Sequence, residues 1–183
     1  AAPDLELLMI PFFISPAAPE LRPPDRHGIT ISGFPTRPHS RGRVSILSGD
    51  PLDRPMIDPR YLTEPEDMRM MLEIVKRTRD IVASRKFDAV RGVEVCPGAK
   101  NQTDRELMDD IRSVSSTSYH PVGSCKMGVD DMAVVDPQLR VRGLSGLRIA
   151  DVSIMPTMNT GHPNAPAYMI AEKAVDLLTS QNP

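Results

Sequence analysis

Apolar residues recur at helical spacing in three stretches of the chain, and proline-cut segments with strand-like patterns lie between them. The longest helical stretch places Met68, Met71, Leu72, Val75 and Val82 on one stripe over residues 64–84. That pattern predicts an amphipathic helix laid on a core. Thr63 and Glu66 have capping-box spacing and Pro65 falls in the first turn, where proline is tolerated. A second helix is predicted over 101–114, with Thr103 as cap and Glu106 three residues later. A third is predicted over 164–178, with Asn164 as N-cap and Pro166 in the first turn.

The strand signals are shorter. ITISGF (29–34) and GRVSILS (42–48) alternate with period two, the latter setting Val44, Ile46 and Ser48 on one face. LELLMIPFF (5–13) reads as a buried strand or core segment, and LRIAD (147–151) as a buried strand ending on an acid. Residues 15–28 are expected to form a mobile, proline-rich loop and 49–62 a turn-rich connector. Helices and strands in separate runs give an α+β class, with no internal repeat.

Composition narrows the picture a little. At 183 residues, 40% hydrophobic and 25% charged, the chain can bury a core of ordinary size. A net charge of -2 and 4% aromatics, without tryptophan, speak against a nucleic-acid surface. Two cysteines cannot build a disulfide framework, so a reducing, cytoplasmic setting is expected. No apolar run reaches the length of a membrane span. The opening AAPDLELLMI lacks an initiator Met and a signal-peptide pattern, and the chain is expected to be part of a longer one.

Candidate chemistry gathers at two His-Pro loops. In TSYHPVGSCKMG (117–128), Pro121 biases His120 to extended backbone while Gly123 and Gly128 permit tight turns. An imidazole on such a loop suits a general base or a metal ligand, and equally an ordinary loop position. In NTGHPNAPAYMIAEKA (159–174), His162 precedes a helix N-terminus, whose free N–H groups and dipole favour developing negative charge. The four histidines form none of the close pairs of a zinc site. Cys125 lies five residues from His120, too loose a pattern for a thiol nucleophile, and is expected to pack. Gly143-Leu144-Ser145-Gly146 misses the nucleophile-elbow spacing, and Val129 follows Gly128 where a phosphate loop needs lysine. No two glycines are separated by one residue, so a dinucleotide fingerprint, if used, lies elsewhere.

Five segments in order resemble the C-terminal part of the glucose–methanol–choline family of flavin-dependent alcohol oxidoreductases. They are RPHSRGRVSILSGDPLDRPMIDPRYL, TEPEDMRMMLEIVKRTRDI, SSTSYHPVGSCKMG, VVDPQLRVRGLSGLRIADVSIMP and NTGHPNAPAYMIAEKAVDLL, covering residues 37–183 closely and the first 36 loosely. The resemblance implies an antiparallel-sheet substrate domain with helices over residues 1–135. Residues 136–183 would then return to a Rossmann-type FAD domain, contributing its late strand (GLRIAD) and last helix, while its main part is absent. The missing glycine fingerprint fits such a fragment, which by itself would be inactive and prone to self-association.

Carried over by position, the resemblance makes His120 the base that accepts an alcohol's hydroxyl proton while the carbon delivers hydride to flavin. It makes His162 the group that holds the oxygen, where the choline-oxidising branch has Asn. Asp151 and Val152 would approach the FAD pyrophosphate and ribityl chain through their backbone, and Pro163, Asn164 and Ala165 would line the isoalloxazine. No metal is implied. The implied partners are a small alcohol and the missing FAD domain. Two other readings remain open here: a non-catalytic binding or structural domain without a flavin half, and a lyase on the same fold.

Overall fold

The computed structural model describes residues 2–14 and 27–180, so the expected loop at 15–28 lies outside them except for its last two residues. The chain divides into two units, one of residues 1–41 and 61–118 and one of residues 42–60 and 119–183. The fold is a mix of helices and small antiparallel sheets.

In the first unit, β1 (Leu5–Ile10) pairs antiparallel with β2 (Thr30–Pro35), Leu5 opposite Pro35 and Ile10 opposite Thr30. β1 is half-buried rather than buried, with the consecutive residues Leu8 and Met9, which point to opposite faces, both open to solvent. The helix is α1 (Pro65–Val82). Gly33 lets it approach: a Cβ at that position would collide with Ile74 Cγ2 and touch Leu7. The expected stripe is therefore incomplete. Met68 and Leu72 face α2 (Asp104–Val114), while Met70 and Ile74 are also buried, so α1 is covered on two sides.

The Thr63–Glu66 capping box does not form. Glu64 is the N-cap without a side-chain hydrogen bond, and Glu66 instead pairs with Arg69 at 2.6 Å. On α2 the predicted box is complete: Glu106 N–H donates to Thr103 Oγ1 and Thr103 N–H to Glu106 Oε2. Leu107 and Ile111 of α2 close the core with Met68 and Leu72. Arg79 fastens the loop before α2, donating to Glu94 Oε1, Gly98 O and Asn101 O.

In the second unit, β3 (Arg43–Ser45) pairs antiparallel with β4 (Met56–Asp58). The strand expected over 42–48 is thus only three residues long, and Ile46 beyond it is 88% exposed. β4 lies inside the expected connector, its strand character hidden among turn residues. LRIAD is not a buried strand. Leu147–Ile149 folds back on Leu139–Val141, Val141 N–H donating to Leu147 O and Ile149 N–H to Leu139 O, and Leu147 stays exposed. The core of this unit is Val135, Leu139, Ile154 and Ala174, with Ile170 and Leu177 beside them. The last three come from α3 (Asn164–Thr179), at i, i+4 and i+7 on one face. Pro163, not Asn164, is its N-cap residue.

Candidate functional site

His120 and His162, 42 residues apart, meet inside the second unit. His162 Nδ1 and His120 Nε2 are 2.7 Å apart, and the rings stand edge to face with centroids at 4.8 Å. One nitrogen donates and the other accepts, the tautomer deciding which.

The backbone explains how two distant loops come together. Cys125 N–H donates to Ser153 O at 3.0 Å and Met127 N–H to Ile154 O at 2.7 Å. The loop after His120 therefore lies along the 3₁₀ turn Val152–Ile154, from which the chain runs to His162. Gly123, at φ +85°, completes the approach, since a Cβ there would sit 3.2 Å from Met155 O. Tyr119 is also left-handed, at φ +62°. An aromatic residue adopts that region at a cost, and such strain collects where a side chain must be aimed.

The second loop is tied by its own side chain. Asn159 Nδ2 donates to His162 O at 3.3 Å, and Pro163 is buried directly behind His162. Neither Tyr119 nor Asn159 is signalled by sequence pattern; left-handed backbone at a non-glycine residue leaves no periodic trace.

The remaining expected site residues lie on the same unit. Asp151 is exposed and caps the 3₁₀ turn, its Oδ1 accepting from Ser153 N–H at 2.7 Å; Val152 is the first residue of that turn and half-buried. Asn164 and Ala165 are exposed in the first turn of α3, which has no side-chain cap. That open helix start is a donor set that suits an electron-rich ring edge or an anion. Cys125 is half-buried, and burial of the Cys96 sulfur, with the nearby Asp110 carboxylate, pushes that thiol up to about 11, away from nucleophilic character.

A family profile described as GMC oxidoreductase matches residues 38–171. The chain is 44% identical over 162 residues to choline oxidase of Arthrobacter globiformis, covering 86% of this chain and 30% of the relative. It is 43% identical over 152 residues to an alcohol dehydrogenase [acceptor] of Pseudomonas putida, covering 83% and 28%. Its structure resembles an FAD-dependent oxidoreductase from Chaetomium thermophilum, with a TM-score of 0.78 and 32% identity over 84% of this chain and 27% of that one. The chain belongs to the GMC oxidoreductase family, and it spans about 30% of the length of the curated relatives it matches. Among the described residues, no helix is long and apolar enough to cross a membrane.

Proposed function

We propose that the chain is the C-terminal, substrate-side portion of an FAD-dependent enzyme that oxidises a small alcohol. The hydrogen-bonded His120–His162 pair carries this reading. Imidazole exchanges protons near neutral pH, and two rings on separate loops can take a hydroxyl proton and still hold the oxygen. His120 is the base; His162 fixes the alcohol oxygen. FAD, when bound, would accept the hydride released from the carbinol carbon. The open first turn of α3, at Asn164 and Ala165, would lie against its ring, and Asp151 and Val152 would meet its phosphate and ribityl portion through backbone atoms.

The functional boundary near residue 135, with 136–183 serving the flavin side, belongs to the same proposal, and it runs inside the second compact unit. So does the assignment of GLRIAD and α3 to a Rossmann-type half, supported by the apolar residues Tyr168 and Met169 that α3 leaves exposed. Cys96 and Cys125, both free, support a reducing, cytoplasmic setting.

The test is rapid-mixing measurement of flavin reduction by alcohols in the full-length protein. His120→Ala is expected to slow reduction about 10²- to 10⁴-fold with flavin retained, and His162→Ala to weaken alcohol binding as well. Reduction at the original rate in His120→Ala would overturn the assignment.

A further inference from the structure

Asn159 holds a feature that its surroundings do not explain. Its Nδ2 donates to His162 O at 3.3 Å, whereas its Oδ1 is shielded from solvent and has no hydrogen-bond partner among the described residues. A buried acceptor without a donor costs roughly 1–3 kcal/mol. Turning the amide over would not relieve it, because Oδ1 would then face the His162 carbonyl oxygen and Nδ2 would take the partnerless place. An aliphatic side chain would fill the space without that cost, so what the amide adds here is the one bond it makes.

That bond has a clear target. His162 is exposed and its ring reaches His120 Nε2 through Nδ1. The buried Pro163 follows, and its carbonyl accepts from Ala167 N–H at 2.9 Å, which fixes the chain after His162 to the start of α3. The chain before it, Thr160-Gly161, has a glycine and no Cβ to limit rotation. Asn159 spans this side, from three residues upstream to the histidine's own carbonyl.

We propose that Asn159 is a positioning residue: its amide clamps the His162 backbone and thereby aims Nδ1 at His120 Nε2. The inference rests on the reading of the two histidines as the reacting pair. It adds a residue that acts through His162, by the bond to its carbonyl.

The experiment uses the full-length protein, labelled with ¹⁵N-histidine, as Asn159→Ala and as the near-isosteric Asn159→Asp, which exchanges the donor for an acceptor. In the parent, the His120 and His162 nitrogens should show one fixed tautomer pair. In both variants that signature should give way to averaged tautomers, with alcohol-driven flavin reduction slowed about 10- to 100-fold, as for a misplacement near 1 Å. The thermal midpoint of Asn159→Ala should stay close to the parent's, because the lost bond and the relieved acceptor offset each other. Unchanged imidazole signals and reduction rate would overturn the clamp. So would loss of the fold in both variants, which would make Asn159 a structural residue. If Asn159→Ala disrupts the pair while His120→Ala reduces flavin normally, the clamp stands and the catalytic reading of the pair falls.

Discussion

Asp67 is 1% exposed, yet it is a carboxylate at the start of a helix. Its two oxygens accept from His39 N–H and Ser40 N–H, each at 2.7 Å, pinning the loop that follows β2 to α1. Burial pushes its carboxyl up, but the His39 and Ser40 N–H groups, the Ser40 hydroxyl and the nearby His39 together hold it below the ordinary carboxylate range. Asp67→Asn would turn one acceptor into a donor facing an N–H. It is expected to cost about 1–3 kcal/mol at neutral pH by urea unfolding, and an unchanged midpoint would contradict this. A depressed folded pKa stabilises above the unfolded value of about 3.9. That contribution is lost as the pH falls through the lower folded value. The gap between parent and variant should therefore close in acid, below about pH 4. Nothing in the spacing of Asp67 marks it among the surface acids of α1; Glu66 before it is exposed, and Met68 after it is buried as an ordinary apolar residue of the stripe.

Among the elements, α1 and α2 start in different ways. α2 carries the complete Thr103–Glu106 box, and hydrogen bonds from Thr103 and Gln102 hold Glu106 below its ordinary range. Thr103→Ala should cost about 1 kcal/mol. Gly33→Ala should cost more, about 1–3 kcal/mol, since the new methyl must displace Ile74 of α1 or part β2 from the helix. Calorimetric melting of the two variants checks that order; a Gly33→Ala midpoint above that of Thr103→Ala would show that α1 yields easily. The box at Thr103 was legible because capping is local. The same spacing at Thr63 failed because the choice there is between two local partners, and Glu66 takes Arg69 one turn along. β4 is not legible in the sequence for a related reason: three residues between turns carry too little pattern to separate from a connector.

At the scale of the whole molecule, this chain is about 30% of the length of its curated relatives, and its second unit is rich in uncovered apolar side chains. Ile46 is 88% and Leu52 89% exposed, and Val44 and Ile57 pair across β3 and β4 without shelter. A two-stranded sheet of three-residue strands is marginal in water without a face to pack on. The 183-residue chain in isolation is thus expected to self-associate with rising concentration and to purify without flavin colour. Sedimentation velocity over a range of concentrations checks the first, and a single monomeric boundary throughout would contradict it. Retention of flavin by the isolated chain would contradict the second.

The sequence by itself determined the family, the two His-Pro loops and three helices, because motif order, apolar periodicity and caps are properties of neighbouring residues. Only the tertiary structure decided that Cys125 and Met127 hydrogen-bond along residues 153–154, that Tyr119 and Gly123 bend left-handed, and that the imidazoles consequently meet at 2.7 Å. It also decided that Ile46 is exposed although its pattern matches a half-buried strand. Periodicity states which side chains share a face. What that face meets is set by backbone contacts between residues far apart in the chain, which no local pattern encodes.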